Sequence, residues 1–259
     1  MLTRSTFRAA VRARQPLIGT FVKTPSPIVC EVLGLTPLDC VCLDTEHAPF
    51  GRTELDGCLM TLAAADKPAL VRVASGTPAE ILSALDMGAT GVVLPHIKTA
   101  DQARGAVAAS HFGPSGRGYA GSTRAARYTH KPIRDHLAES AATTTVVAQV
   151  EDAEALDALD AIARVEGLDC LFIGRIDLTI SLGADTPQSP VVVDAVKRIV
   201  DVGCAAGIAV GMFVPSVEEV EQWLHRGASV FLLGSEHQFL LDGARTLTSA
   251  FRRMTPASA

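Results

Sequence analysis

Six short apolar runs in this sequence lead into side chains that can move protons, hold cations or bind anions. DCVCLD runs on into Thr45-Glu46-His47, PALVRV carries Arg72, and GVVLPH ends in Pro95-His96. TVVAQV carries Gln149 and is followed by Glu151, CLFIG leads into Arg175-Ile176-Asp177, and SVFLLG leads into Ser235-Glu236-His237. Glu151 and Asp177 follow consecutive runs. Two carboxylates so placed can hold one hard divalent cation and leave positions open for water and substrate. Glu151 alone reads as a strand-end ion pair or as part of a helix cap near Asp152. For the two together, metal binding and simple ion pairing both stand. His47 at a strand end suits a base near neutral pH, or a structural role. Arg72 sits on a run built for burial, where an unpaired guanidinium is costly. It either pairs with Asp44 or Glu46, or stabilises an oxyanion or enolate. Gln149 and Glu151 are two apart, so both can face one side of a strand.

The elements that must position these residues follow from the alternation of runs. Eight strands are expected, at 16–22, 39–44, 68–73, 91–96, 145–150, 170–174, 208–214 and 229–234. Amphipathic helices are expected between them at 53–65, 78–87, 99–110, 152–164, 190–206 and 216–226. Near-continuous apolar strands indicate a parallel sheet covered by helices. Eight β-α units in 259 residues fit an α/β fold, a single (β/α)8 TIM barrel, better than an open sheet. In such a barrel the C-terminal strand ends converge on one mouth. Thr77-Pro78-Ala79-Glu80 and Ser216-Val217-Glu218-Glu219 read as capping boxes, and Gly88, Gly207 and Gly227 as glycines that end helices. No composition shift divides the chain, so residues 1–259 are expected to form one domain. The long irregular stretch 111–132, with Arg117, Arg124 and Arg127, lacks a P-loop ending and suggests a subunit contact or a lid.

Net charge is −5, with no basic stripe, which argues against a nucleic-acid partner. The longest uncharged run, Val202 to Val217, has 16 residues broken by Gly and Pro, too short for a membrane span. The basic N-terminus has no apolar core of a signal peptide and reads as a first helix packed on a barrel end. Cys30, Cys40, Cys42, Cys58, Cys170 and Cys204 have no zinc or redox spacing. They read as buried free thiols in a cytoplasmic protein.

Several segments in this order and spacing resemble the HpcH/HpaI aldolase family, the metal-dependent 2-keto-3-deoxy sugar acid and 4-hydroxy-2-oxo acid aldolases. They are LDTEHAPF (43–50), LVRV (70–73), LDMGATGVVLPHIKTADQA (85–103), PSGRGYAGSTRAARY (114–128), AQVED (148–152) and GLDCLFIGRIDLTISLG (167–183). The resemblance implies that Glu151 and Asp177 bind a divalent cation (Mg, Mn or Co). It implies His47 as a base working through water, Arg72 as the group that stabilises an enolate oxygen, and Gln149 and the Ile176 N–H as contacts to a bound 2-oxo acid. It implies Asp86 as the acid that raises the basicity of the histidine. Asp86 precedes strand 4, so a route to His47 would cross a subunit interface. A homo-oligomer is implied, since many relatives are hexamers. Two departures stand out. Arg175 occupies a position where relatives usually carry Pro; its side chain would either add charge at the mouth or turn outward as a solvated group, the reading favoured here. GSEHQF at strand 8 replaces a motif that often carries a single Asp.

The function implied is a class II aldolase joining pyruvate or hydroxypyruvate to an aldehyde, or cleaving a 4-hydroxy-2-oxo acid, by metal-stabilised enolate chemistry. The five lysines include Lys23 and Lys98 at strand ends, so position alone does not exclude a Schiff base, but the carboxylate pair argues against one. The alternatives are a CoA-thioester lyase of the malyl or citramalyl type, and a catalytically silent barrel that only binds.

Overall fold

Eight parallel strands close on themselves in sequence order. They are β1 (Leu17–Val22), β2 (Cys40–Asp44), β3 (Ala69–Arg72), β4 (Gly91–Leu94), β5 (Thr145–Val150), β6 (Cys170–Ile173), β7 (Ala209–Val214) and β8 (Val230–Ser235). The helices are α1 (Phe7–Arg12), α2 (Pro27–Gly34), α3 (Arg52–Ala64), α4 (Pro78–Asp86), α5 (Ala100–Ser110) and α6 (Ile133–Thr143). They continue as α7 (Ala153–Asp157), α8 (Leu159–Ala163), α9 (Arg175–Ser181), α10 (Pro190–Ala206), α11 (Val220–Arg226) and α12 (Glu236–Met254). This computed structural model describes residues 2–254. The (β/α)8 barrel expected from the eight apolar runs is present.

Both faces of every strand are covered, which is why the runs are apolar almost without interruption. One parity packs outward on the helices, as with Val41, Leu43, Val71, Val146 and Leu171. The other fills the barrel: Phe21, Cys40, Cys42, Leu70, Val93, Val147, Phe172 and Leu232. Cys40 and Cys42 therefore share a face, and all six cysteines are free thiols, five of them buried. Gly91 lets the chain close tightly, because a Cβ there would lie 2.3 Å from the Thr145 carbonyl oxygen.

The base of the barrel is closed by α1, as the N-terminal sequence suggests. Phe7, Ala10 and Val11 join the interior cluster. Arg8 Nε donates to both carboxylate oxygens of Asp169 at 3.0 Å, and Asp169 also accepts the Val146 N–H at 2.9 Å.

Several local expectations are corrected. The segment 152–164 is two helices, because the chain bends at Ala158 and lays Leu159 and Ile162 on the barrel. Neither proposed capping box forms. Glu80 instead accepts from the Ser75 N–H (2.6 Å) and Oγ (2.9 Å), and Glu219 pairs with Arg175. A capping box does form at Thr99 and Gln102. Gly207 and Gly227 end α10 and α11 in the left-handed region, as expected. The stretch 111–132 leaves α5 and enters α6 at the base, and it does not line the mouth cavity.

The C-terminal helix is long but hardly packed. Only Glu236 of α12 is buried, while Leu240, Leu247, Phe251 and Met254 form a stripe with exposures of 66–81%.

Because Phe7 is fully buried against the barrel interior, Phe7→Ala should cost about 3–5 kcal/mol of stability, read from the urea midpoint. A loss within about 0.5 kcal/mol, the range of a surface substitution, would mean that α1 does not plug the base.

Candidate functional site

The charged residues at the mouth continue the inward-facing register of the strands. Lys23 lies two residues beyond Phe21, Asp44 two beyond Cys42, Arg72 two beyond Leu70, and Gln149 two beyond Val147. Strand period thus turns a greasy interior into a polar rim at one level. A cavity of about 680 Å³ opens there, lined by Phe21, Lys23, His47, Arg72, Gln149, Gly174, Arg175, Ile176 and Asp177, among others.

Asp44 and Arg72 are register partners on adjacent strands. Arg72 Nε donates to Asp44 Oδ1 at 3.1 Å and Nη2 to Oδ2 at 2.8 Å. The guanidinium lies 4.7 Å over the Phe21 ring and 3.3 Å from Glu46 Oε2. Burial alone would raise the Asp44 carboxyl, but the hydrogen bonds and charge of Arg72, the His47 N–H and Lys23 outweigh it and hold it below its usual value. The structural and functional readings of Arg72 therefore coexist: it is paired, and it lines the cavity.

Asp44 Oδ1 also accepts the backbone N–H groups of Glu46 (3.2 Å) and His47 (3.1 Å). This turns the chain after β2 so that His47 lines the cavity with its side chain half exposed and its Nε2 3.7 Å from Glu46 Oε2.

Glu151 is 1% exposed. Its Oε1 accepts the His96 N–H at 2.8 Å, and its Oε2 accepts from Gln149 Nε2. Gly174 packs directly on it, since a Cβ there would fall 2.4 Å from Glu151 Oε2. The chain thus passes the carboxylate closely before reaching Arg175, Ile176 and Asp177. Ile176 and Asp177 lie in the first turn of α9, where backbone N–H groups have no intrahelical acceptor.

Glu46, His96 and Glu151 offer ligand atoms within 4.8 Å of one another. Glu46 Oε2 is buried without a hydrogen-bond partner, as is Gln149 Oε1. Burial raises the Glu46 carboxyl, and the Glu151 charge adds to this against the opposing pull of Arg72. Burial lowers His96, but its bond to Asp152 and the charges of Glu151, Asp152 and Glu46 outweigh that and raise it. Crowded carboxylates with an orphaned oxygen fit a divalent cation. Glu46 and His96 were visible in the sequence as strand-end residues, but nothing in their spacing marked them as neighbours of Glu151. Asp177 is outside this three-residue group and lines the cavity instead.

Asp86 is not near His47 within the chain. It ends α4 at the base of the barrel, 3.4 Å from Arg117 Nη2, whereas His47 follows the mouth end of β2. Burial raises its carboxyl, opposed by Arg117. Arg175 is not the outward, solvated side chain favoured from the sequence. It lines the cavity, is 12% exposed, and its Nη1 lies 2.7 Å from Glu219 Oε2.

Residues 17–242 match the HpcH/HpaI aldolase/citrate lyase family. The chain belongs to this family. Within it, a 5-keto-4-deoxy-D-glucarate aldolase of Shigella boydii is 32% identical over 95% of this chain and 96% of its own length. A family protein of Burkholderia cenocepacia superposes with a TM-score of 0.91 at 33% identity, over 96% of this chain and 99% of that one. A further family-like fold, the citrate synthase SbnG, superposes at 0.84 with 27% identity, over 95% and 97% of the two chains.

Asp44 is fully buried, so Arg72→Ala would strand its charge. The variant should lose about 3–5 kcal/mol of stability in chemical denaturation. An unchanged midpoint would mean that the pair is not a structural element of the HpcH/HpaI mouth.

Proposed function

We propose that this chain is a divalent-metal-dependent class II aldolase. It makes or cleaves 4-hydroxy-2-oxo acids from pyruvate or hydroxypyruvate and an aldehyde. The observation that carries this reading is one cavity lined by His47, Arg72, Gln149 and Asp177, with the buried Glu151 carboxylate beside it. The aldolase names of relatives about 32% identical over nearly the whole chain support it.

In this reading Glu151 and Asp177 hold the ion (Mg, Mn or Co), with Glu46 adding negative charge beside Glu151. A bound divalent ion supplies Lewis-acid stabilisation of negative charge on the oxygens of the 2-oxo acid. The Arg72 guanidinium, held in place by Asp44, donates to the keto oxygen as it gains charge. The Ile176 N–H and the Gln149 amide orient the oxo acid. His47, open to solvent, takes the C3 proton through a water molecule. The C3 carbon then attacks the aldehyde carbonyl carbon, the electron pair of that carbonyl passes to its oxygen, and the oxygen takes a proton back from the water held by His47; the reverse direction breaks the same bond.

The whole chain works as one domain, in a reducing compartment such as the cytoplasm, in keeping with six free thiols. No helix among the described residues is long and apolar enough to cross a membrane. A second copy of the chain covers the apolar stripe of α12, giving a homo-oligomer such as the hexamers of relatives. Asp86 acts on His47 only through such an interface.

Exchange of the C3 protons of pyruvate in D2O, followed by NMR, tests the chemistry without an aldehyde. Chelation should abolish exchange and a divalent ion restore it, and His47→Ala should slow it about 10²–10⁴-fold. Calorimetric Mn²⁺ affinity should fall in Asp177→Asn and hold in His96→Ala. Full exchange after chelation, with no metal detected, would overturn the class II reading; the opposite pattern of affinities would move the ion to Glu46 and His96.

The assembly has its own test. Light scattering should give an oligomer, and Leu247→Glu with Phe251→Glu should shift it to a smaller species. A stable wild-type monomer would remove both the cover for α12 and the route from Asp86 to His47.

A further inference from the structure

In a closed barrel of eight strands, β7 stands across the mouth from β3, four strands away. The wall facing Arg72 is therefore built by the segments after β6, β7 and β8, and there Arg175, Pro215, Glu219 and Gln238 line the cavity. If the oxo acid is held at the Arg72 and Gln149 side, this wall meets the far end of the second substrate.

Arg175 and Glu219 form an ion pair on that wall, near Asp177, which the aldolase reading assigns to the metal. They approach to 2.7 Å, and both side chains are largely withdrawn from solvent. The Glu219 oxygen that faces Arg175 is buried without a hydrogen bond. Among the described residues Glu219 is the one charged partner of this guanidinium. A guanidinium has five donors in a fixed fork, and a single ion pair leaves most of that capacity unused. Removing a lone cation from water is costly, so Glu219 keeps Arg175 at the wall while no substrate is bound. A ligand carboxylate can then share the fork and gain charge-assisted hydrogen bonds, which are the strong kind. A neutral hydroxyl in the same place gains much less. Glu219 repels the incoming anion while it positions the arginine, so it tunes the preference rather than creating it.

We propose that Arg175 is a specificity-determining residue that selects aldehydes carrying a carboxylate at the end remote from the carbonyl, with Glu219 setting the strength of that selection. This rests on the aldolase reading above and adds the class of acceptor.

The test compares kcat/KM, with pyruvate, for 2-hydroxy-3-oxopropanoate and for glyceraldehyde, which differ only by a carboxylate in place of CH2OH. Wild-type protein should favour the anion. Arg175→Ala should lower the ratio of anionic to neutral aldehyde about 10–100-fold, chiefly through the KM of the anion, as expected for one charged hydrogen-bonding contact. Arg175→Lys should recover part of the loss. Glu219→Gln should raise the ratio. Opposite movements in the Arg175→Ala and Glu219→Gln variants separate substrate selection from a structural salt bridge, whose loss would act alike from either side and on both aldehydes. Ratios unchanged in both variants, or lowered in both, overturn the proposal. Pyruvate C3 proton exchange by the wild-type protein, measured in the same samples, separates the two levels. Exchange with an unaltered ratio overturns this inference alone, and absence of exchange with added divalent ion overturns the aldolase reading and this inference with it.

Discussion

The mouth of this barrel is organised around the contact between Asp44 and Arg72. Because β2 and β3 pair in a register that sets these residues side by side, a two-pronged ion pair forms with no rearrangement of either strand. The carboxylate then has acceptor capacity left over, and it uses it to turn the chain after β2 toward the cavity through two backbone N–H groups. One buried side chain thereby fixes both the cationic group at the cavity wall and the segment that presents Glu46 and His47. Arg72 in turn lies against Phe21 and near Glu46, so the polar rim grows directly out of the apolar filling beneath it.

The negative side of the mouth is held differently. Glu151 is fixed by the His96 N–H, by the Gln149 amide and by the close passage of Gly174. A larger residue at position 174 would have to displace either the carboxylate or the start of α9. Membership of the HpcH/HpaI family accounts for the shared frame of the barrel. The pairing of Arg175 with Glu219 stands apart from the contacts that hold Glu151.

The strands were legible in the sequence because burial on both faces leaves little alternative to Val, Ile, Leu and Cys. Helices with a strong apolar stripe, such as α10, were legible for the same reason. By contrast α6 buries His136 and Ser140, and α2 buries only Cys30 and Leu33, so neither has a stripe to read. The caps failed for a different cause. Glu80 and Glu219 had the right spacing for a box, but each found a partner, Ser75 or Arg175, that the spacing could not reveal. Position at a strand end correctly brought His47, Arg72, Gln149 and Asp177 to one cavity, while Asp86, which precedes its strand, lies at the other end. The grouping of Glu46 and His96 with Glu151 depends on how neighbouring loops fold over the rim, and this leaves no periodic trace.

The helix that stoppers the base also bears on traffic. Among the described residues, Phe7 and Val11 fill the lower opening, and the cavity lined by Arg72 and Gln149 opens at the mouth. The apolar plug and the polar rim thus sit at opposite ends of one barrel, so whatever reaches Arg72 and Gln149 comes from the side on which His47 and Asp177 stand.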